Sequence, residues 1–577
     1  MAFVPTNTDL PSSWLVPGVY IQLNLNGSGA GLNSATKRIL LIGYKRSTGS
    51  FAQDAPIQVL SQSDVNTGAG AGADLARLYA ATIAQIGAGT ADVFCLPIAE
   101  PSSGTAAIHQ VIFAGTATAA GSVDAWICGY PISIGVANAD TPTIIGAAFA
   151  AAVNALTDLP VTASNGSGTV TLTYKTKGAT GNDLPRIVNI NGSIGVTASP
   201  GTVAFSGTAG TGGTATLTVG GTAVSATITG SDTATVAGDS LVAALAATAA
   251  PVTGSNATGT VTLFHVRDRV VHRISVATTA SVQTLVASVG TAGAGAASLT
   301  AALGNVAAQS AYRLWATCLD DATSLGACSA HIELYANGLY QKDQTLHYGA
   351  TTALATAGAV PAATTPALSA SPRYTADWCM DSPQQAYELA GRCAGIVCIE
   401  DYYARNYDGT ALKSDGKIPF LMPAKASRPI PADANAAMYS YHMTPLVVDE
   451  FTATLKILRG MTTFRGPDQR LWDWSEIQTL GYYRYDMGVF LNSRFAGKSL
   501  KLNGDPKTPN VVKVASIADA VFERLKTYDD ADLFDGADAL KGNITAQPDA
   551  IVTGRVNVFI PMRPPVNLHQ ISGQGGI

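Results

Sequence analysis

Apolar and polar positions follow different periods in different parts of this chain. Arg38-Ile-Leu-Leu-Ile-Gly-Tyr44 is an unbroken apolar run, the pattern of a strand buried on both faces. From Asp74 to Ile86 the period lengthens. Leu75, Leu78, Tyr79, Thr82 and Ile86 share one helical face, and Gly87 is placed to end the helix. Asp92-Val-Phe-Cys-Leu-Pro-Ile98 predicts a second buried strand. The same alternation returns far downstream. Tyr312–Cys318 reads as a strand, and Asp320-Asp321 opens a helix lined by Leu325, Cys328, Ile332 and Tyr335 and closed by Asn337-Gly338. Ser382-Pro383 is a helix-start signal, and that helix is expected to lead into a strand at Ile396–Ile399. Alternating strands and helices predict a layered α/β core.

Between about Glu100 and Ala308 the pattern changes. Thr105–Thr300 is rich in Ala, Gly, Thr and Ser and holds six Lys/Arg and seven Asp/Glu, while 15 of the 20 tyrosines lie at or after Tyr312. This stretch reads as an insertion with an internal duplication. PVTASNGSGTVTL (Pro160–Leu172) and PVTGSNATGTVTL (Pro251–Leu263) match at 10 of 13 positions. The same offset pairs Gly129 with Gly220, and the Ala-rich segment Ile144–Leu156 with Thr235–Ala247. Each copy predicts two short strands, a small helix and a further strand. The strands fall near Val123–Cys128, Ile132–Val136 and Thr169–Tyr174, then Thr214–Val219, Ala223–Ile228 and Thr260–Val266. Two copies form a tandem pair, since a solenoid needs about three. From about Pro445 the chain is mixed α+β. Phe451–Leu458 reads as a one-sided strand, and Trp474–Phe495 and Ser516–Tyr528 as helices. Ile517, Val521, Phe522 and Leu525 share a face of the second helix. Arg555–Pro561 reads as a strand, and the Gln- and Gly-rich tail Val566–Ile577 is expected to be loose.

Composition narrows the function classes. At 577 residues the chain exceeds one compact core. Its 47% hydrophobic and 13% charged residues exclude disorder driven by charge. A net charge of −5 argues against a nucleic-acid binder, which needs a dense cationic surface. The longest apolar stretch, Thr141–Leu156, carries Asn154 and falls short of the roughly 20 residues of a membrane span. The opening MAFVPTNTDL lacks a basic region followed by an apolar run, so no signal peptide is expected. The seven cysteines are scattered without a CxxC pair, which reads as buried small apolar residues in a reducing cytosol.

The tests for chemistry return no site. Phe495-Ala-Gly-Lys-Ser499 resembles the end of a P-loop, but its first glycine would fall on Asn492. Gly68-Ala-Gly-Ala-Gly72 precedes a helix, but Ala73 stands where a dinucleotide fingerprint needs glycine. No serine lies in GxSxG. Asp320 and Asp321 follow a strand, where α/β enzymes place functional groups, yet they read as helix caps. Glu400-Asp401 has no acid/base partner beside it, and the seven histidines form no metal-ligand spacing. His265, Arg267, Arg269, His272 and Arg273 form a basic cluster interrupted by Asp268, which reads as a solvated strand face. No catalytic, cofactor-binding or metal residue is assigned, and no cofactor is expected.

The chain ends carry the remaining signal. Pro17-Gly-Val-Tyr-Ile21 is a short apolar strand detached from the core by the Gly-rich segment Asn26–Gly31, and Val556-Asn-Val-Phe-Ile560 precedes the tail. PGVY followed by RILLIGYK and ADVFCLPIAE, the interrupted α/β core, and the late segment WDWSEIQTLGYYRYDMGVFLNSRF together resemble contractile phage tail sheath proteins, particularly the Mu-like group. The resemblance covers about the first 100 residues and the chain after about Ala308. It implies an α+β multidomain subunit with a subtilisin-like layered α/β core and extended arms; the β-rich duplicated insertion that interrupts this core is not covered by the resemblance and rests on the repeat itself. The implied divisions are 1–31 arm and linker, 32–104 core, 105–300 outer insertion (repeats about 115–190 and 206–281), 301–444 core, 445–555 C-terminal assembly domain and 556–577 arm. It implies hexameric rings stacked around a tail tube, without enzymatic activity. Arm strands at Val19, Tyr20, Ile21 and Leu23 and at Val556, Val558, Phe559 and Ile560 would pair with neighbouring subunits. Arg470, Arg484, Arg494 and Lys498 are the candidate tube-facing cations. Partners would be further copies, the tail tube protein, and baseplate and tail terminator proteins, with no nucleic acid and no membrane insertion. The location would be the virion after synthesis in the host cytoplasm. The competing readings are a secreted surface-layer or adhesin protein, which would normally carry an export signal, and an α/β serine hydrolase, which lacks its motif.

Overall fold

The computed structural model describes residues 38–569 apart from 88–89, 220–221, 281–282, 309–311, 400–405 and 414–427. The expected arm strand at Val19–Leu23 and the Glu400-Asp401 pair lie outside these residues. The chain enters the core through β1 (Arg38–Lys45), buried from Ile39 to Tyr44. Then come β2 (Ile57–Gln58), α1 (Gln62–Ala69), α2 (Asp74–Ile86) and β3 (Asp92–Ala99). The Gly87 N–H bonds Ile83 O at 2.8 Å and ends α2 at φ +85°, a backbone conformation glycine adopts at little cost. β3 runs parallel to β1 along its whole length.

The chain then leaves the sheet. β4 (Ala106–Ala114), β5 (Gly121–Ile127), β6 (Tyr130–Val136), α3 (Pro142–Ala155), β7 (Val161–Gly166), β8 (Thr169–Lys177), β9 (Arg186–Asn191) and β10 (Thr197–Ser199) form a first module. Its sheets have the orders β10-β4-β8-β7 and β6-β5-β9. A second module follows: β11 (Thr202–Ser206), β12 (Gly213–Val219), β13 (Thr222–Ile228), α4 (Ala234–Ala246), β14 (Val252–Ala257), β15 (Thr260–His265), β16 (Ile274–Thr278) and β17 (Thr284–Ser288). Its orders are β14-β15-β11-β17 and β13-β12-β16, the same connections in the same sequence. Local hydrogen bonds recur as well. Asp140 and Asp232 accept from Ala137 N and Thr229 N, each at 2.7 Å. Asn165 and Asn256 accept from Gly168 N and Gly259 N, each at 3.1 Å. The paired turns Ser167-Gly168 and Thr258-Gly259 have positive φ at both residues, as a two-residue hairpin of matching twist requires. Each module holds its own core, one around Phe149, Val170 and Leu172, the other around Leu241, Val261 and Leu263. Both contain more strands than the sequence pattern suggests. β7 and β14 alternate small residues with polar ones, and Thr, Ser and Gly on one face give little apolar signal.

A last strand, β18 (Gly290–Thr291), returns to β4, and α5 (Thr300–Ala308) leads back to the core. There β19 (Leu314–Thr317), α6 (Ala322–Ala336), β20 (Thr345–Ala350), α7 (Leu354–Ala363), β21 (Tyr374–Trp378), α8 (Ala386–Ile399), α9 (Pro431–Tyr439), β22 (Thr444–Asp449) and β23 (Thr454–Ile457) complete a sheet of order β2-β3-β1-β19-β20-β21-β22-β23. Its inner strands are parallel, and β2 and β23 are antiparallel edges. Successive side chains of a strand point to opposite faces. Ile39 and Leu41 accordingly pack with Leu75, Leu78 and Leu389, while Leu40 and Ile42 pack with Leu303, Trp315 and Leu325. The result is a sheet covered by helices on both sides, within a mixed α+β multidomain chain. All seven cysteines are buried and none is in a disulfide. Among the described residues no helix is long and apolar enough to cross a membrane.

Several expectations need correction. Ile396–Ile399 is not a strand but the last turn of α8. A short apolar run does not distinguish a buried strand from a helix buried all round, and α8 packs against both the neighbouring α2 and the sheet. The close crossing depends on Gly391 and Gly395, where a Cβ would come 2.8 Å from Leu78 Cδ1 and 2.9 Å from Gln85 Cβ. Ser382 accepts from Gln384 N at 3.1 Å in a turn, and the helix starts at Ala386. The strand expected from Phe451 begins at Thr454, because Asp449 accepts from Phe451 N at 2.9 Å and closes a turn that leaves Phe451 fully exposed. The basic cluster from His265 to Arg273 is not a solvated strand face. It begins at the end of β15 and becomes the turn before β16, with Asp268 at φ +60° and His272 buried.

The last part comprises α10 (Trp474–Phe495), β24 (Ser499–Lys501), β25 (Val511–Lys513), α11 (Val514–Asp529), α12 (Ala537–Leu540), β26 (Thr545–Pro548) and β27 (Val556–Phe559). Tyr483, Met487, Val521, Leu525 and Tyr528 are its buried centre.

At Gly43, in the middle of β1, a Cβ would sit 2.6 Å from Cys318 Sγ and 3.1 Å from Leu75 Cα. Gly43→Ala should destabilise the protein by about 1–3 kcal/mol, the usual cost of overpacking. Gly135→Ala, with nothing within 4 Å of the added carbon, should not. Chemical denaturation of the two variants checks the contrast.

Candidate assembly surface

α10 carries Arg484 and Arg494, two of the four candidate cations, and its two halves face different neighbours. Trp474 packs into the core, whereas Ile477, Leu480, Tyr483, Met487 and Leu491 form a buried stripe against α11. Arg484 lies on the buried side of the helix and is 3% exposed. Its Nη1 donates to Ala336 O and Asn337 O at the end of α6, and its Nε lies 3.4 Å from Asp343. A guanidinium is favoured at a helix C-terminus, where carbonyls carry partial negative charge. Asp343 also pairs with Arg373 at 3.1 Å. Arg484 therefore ties α10 to the core and is not an outward cation. The helical spacing from Leu480 and to Met487 and Leu491 already placed it on the apolar stripe. Arg470 holds Asp468 through Nε (3.0 Å) and Nη2 (2.7 Å). Arg494 pairs with Glu523 at 2.6 Å and remains 41% exposed, and the exposed Lys498 sits 5.8 Å above the Phe495 ring. Among the four predicted cations, the structure brings Arg494 and Lys498 together at the exposed end of α10. There Gly497, at φ +73°, turns the chain into β24.

Asp486, fully buried in α10, accepts from Arg524 Nε at 2.7 Å and Nη2 at 2.5 Å and from Tyr528 Oη at 2.8 Å, joining α10 to α11. Against α11 lies the hairpin β26–β27, with Thr545 opposite Phe559 and Pro548 opposite Val556. Val556, Val558, Phe559 and Ile560 are half-buried, and Val558 and Ile560 pack on the same apolar cluster as α10 and α11.

The tail expected to be loose is anchored as far as His569. Asn567 Nδ2 donates to Ser475 Oγ at 2.5 Å, and Leu568 O accepts from Asn406 Nδ2 at 3.2 Å. His569 places Nδ1 2.6 Å from Asp408 and Nε2 3.1 Å from Asp473. Asp473 also receives Nε and Nη2 of Arg459, at 2.9 and 3.2 Å. One turn along, Glu476 is 4% exposed, and its Oε1 has no hydrogen-bond partner. Burial, with Asp473 beside it, pushes its carboxyl up to about 8, against the pull of Arg470. Nothing in the tail's Gln- and Gly-rich composition signals this docking. The signal is the lone His569, whose carboxylate partners are remote in sequence. Among the described residues no group of three His, Cys, Asp or Glu side chains is arranged to hold a metal.

No family model matches the chain. It is 31% identical over 176 residues, 30% of its length, to the Mu-like prophage FluMu tail sheath protein of Haemophilus influenzae. Over that stretch the chain is similar to a phage tail sheath protein. It spans about a third, 36%, of the length of that curated relative. Two solved structures of sheath tail proteins resemble it along most of both chains. One is from Desulfitobacterium hafniense (TM-score 0.40, 11% identity, 94% of this chain and 99% of that one). The other is from Listeria innocua (TM-score 0.35, 8% identity, 91% and 95%). A chain of the anti-feeding prophage baseplate aligns with 48% of this chain and 72% of its own (TM-score 0.34, 9% identity).

A second polar knot joins the first inserted module to the core. Asp74, the first residue of α2, is fully buried and accepts from Tyr174 Oη (2.6 Å), Thr176 Oγ1 (2.9 Å) and Tyr387 Oη (3.4 Å). Burial raises its carboxyl to about 6, although these donors oppose the shift. Arg77, one turn on, pairs with Glu388 and donates to Cys128 O and Asp158 O, each at 3.2 Å. Asp and Arg three apart in an otherwise apolar helix were the available signal. Their partners, a hundred and three hundred residues away, were not readable.

Glu476 gives a pH test. The folded state keeps a proton that the unfolded chain releases above its ordinary value of 4.5. Stability from this group is therefore full below that value and lost as pH rises through about 8. Glu476→Gln removes the titration. It should raise the melting temperature by about 2–4 °C at pH 9, with a much smaller effect at pH 5, and flatten the pH profile measured by calorimetry.

Proposed function

We propose that the chain is a structural, non-enzymatic subunit of a contractile phage tail sheath. It polymerises as stacked hexameric rings around the tail tube, and its contraction drives the tube through the host envelope. The observation that carries this reading is the 31% identity over 176 residues to a Mu-like prophage tail sheath protein. On this reading the eight-stranded core is the subtilisin-like body, without a nucleophile motif, and the two modules are a duplicated outer insertion. The matching strand orders and the recurrent Asp and Asn hydrogen bonds support duplication. The partners are further copies, the tail tube, and baseplate and terminator proteins, without nucleic acid or membrane insertion. The subunit is made in the host cytoplasm and resides in the virion tail.

A strand donated to another chain satisfies main-chain donors and acceptors and fills alternate side-chain pockets. In this proposal Val19, Tyr20, Ile21 and Leu23 are donated to a neighbour. The C-terminal residues take a different part from the one expected. Val556, Val558 and Phe559 already pair within their own chain, so the two-stranded sheet β26–β27 is the receiving edge. A head-to-tail contact of this kind that does not close gives a helix of subunits, and contraction requires two packings of the same bodies. Toward the tube, Arg494 and Lys498 are the proposed contacts. Exposed ion pairs contribute about 0–1 kcal/mol each and are screened by salt, which suits a contact that must be released.

The test is electron microscopy of the full-length protein and a variant lacking Met1–Leu23. The full chain should form tubes or rings, and the variant should stay soluble and unassembled. Tubes from the truncated chain would remove the arm, and a monomeric full-length chain under all conditions would remove the sheath reading. Removing Arg555–Ile577 is a poorer test, because it takes β27 and the buried Met562 from the last apolar cluster. Reversing Arg494 and Lys498 to Glu together should weaken decoration of tail tubes at low salt and leave the folded subunit intact. Cosedimentation with tubes measures it, and unchanged decoration would exclude this end of α10 from the contact.

A further inference from the structure

The basic cluster before β16 meets an unusual residue of the first module. Arg186, which opens β9, is 1% exposed. Its Nη1 is occupied, lying 3.3 Å from His109 Nδ1 and donating to Val271 O (3.4 Å) and His272 O (3.3 Å). Its Nε and Nη2 are buried and have no partner among the described residues, and no carboxylate lies within ion-pair distance of it there. These two nitrogens form the side-on fork of the guanidinium, which matches two oxygens of one anion. The same chain shows its use. Arg459, Arg470 and Arg524 each turn Nε and Nη2 toward the carboxylate of Asp473, Asp468 and Asp486.

We propose that Arg186 is the centre of a binding site for one tetrahedral inorganic oxyanion, sulfate or phosphate, at the joint between the two inserted modules. The surroundings fit. His265, at the end of β15, has both ring nitrogens buried without a partner, and His272 Nε2 is likewise unsatisfied. Burial, and then the charge of Arg186, push His265 down to about 3, so at neutral pH its ring is uncharged and offers one N–H. His109 is pushed down to about 3 in the same way, and its Nε2 lies 2.8 Å from Gly181 O. Two carboxylates pair with the cluster, Asp268 at 3.6 Å from the exposed Arg267 Nε and Asp381 of the core at 3.8 Å from His272 Nε2. An uncompensated guanidinium inside a protein is strongly unfavourable, and an anion on its free fork removes that cost. Arg186 belongs to the first module and His265 to the second, so the bound ion would stitch the two together. The main-chain bonds between Arg186 and Val271, at 3.2 and 2.9 Å, hold the site's frame independently of the ion.

Selenate is the probe, as a heavy tetrahedral oxyanion. Crystals of the full-length protein or its unassembled N-terminal truncation should show an anomalous peak within hydrogen-bond distance of Arg186 Nε and Nη2. In solution, sulfate should raise the melting temperature beyond sodium chloride of equal ionic strength, with saturation. Arg186→Lys keeps a cation but loses the fork. It should weaken the sulfate response by about tenfold in concentration and abolish the peak. Arg186→Gln should abolish both, and if it fails to fold the lysine variant and the wild-type soak still decide. No selenate peak in the wild type, an equal sulfate response in Arg186→Lys, or bromide occupying the position in preference to selenate would each overturn the proposal.

Discussion

Everything in this chain is arranged around β1, which pairs in parallel with β3 on one side and β19 on the other. β3 follows it closely in sequence, but β19 arrives only after the whole insertion. The second pairing is therefore non-local, and its entropy of closure is met only if the insertion returns the chain to its starting point. A narrow neck does this. Thr105 N bonds Ala294 O at 3.0 Å and Ala294 N bonds Thr105 O at 3.1 Å, while β18 pairs with β4 just inside. With the neck closed, the sheet is continuous as though the insertion were a long loop. The modules beyond it contain separate cores.

The joints between these bodies are made of buried charge. Asp74 and the Arg77–Glu388 pair link the first module to α2 and α8. Asp343, between Arg373 and Arg484, links α10 to the core sheet. Asp486, with Arg524 and Tyr528, links α10 to α11. Such groups are weak sources of net stability, because desolvation offsets much of the attraction. Removing one partner, however, leaves a buried charge and costs about 3–5 kcal/mol. They therefore set which surfaces meet more than how tightly they meet.

The C-terminal segment, as far as His569, makes the next set of contacts. The tail crosses the start of α10 and stops its described course at His569, held between Asp408 and Asp473. That puts the C-terminal segment, the end of α10 and the hairpin β26–β27 on one compact body. The exposed cations Arg494 and Lys498 stand at the other end of the same helix from the tail anchor. A single long helix thus joins the tail anchor to the exposed cations.

The sequence by itself determined the elements whose apolar pattern has one clear period. β1, α2, β3, α6, α10 and the repeated helix and strands of the modules lie where hydrophobic spacing, a capping Asp or a terminating Gly placed them, because those signals act within a few residues. The order of its segments also carried a resemblance to sheath proteins. What only the tertiary structure decided was everything set by partners distant in sequence. Ile396–Ile399 became helix because Gly391 and Gly395 let α8 press against α2. Arg484 turned inward because the end of α6 and Asp343 were there to receive it. The tail docked because Asp408 and Asp473 converge on His569, and the basic stretch before β16 became an interior joint because Arg186 of the other module meets it. A side chain's period along its own segment is local, but whether a charge is solvated or buried depends on what the fold brings opposite it.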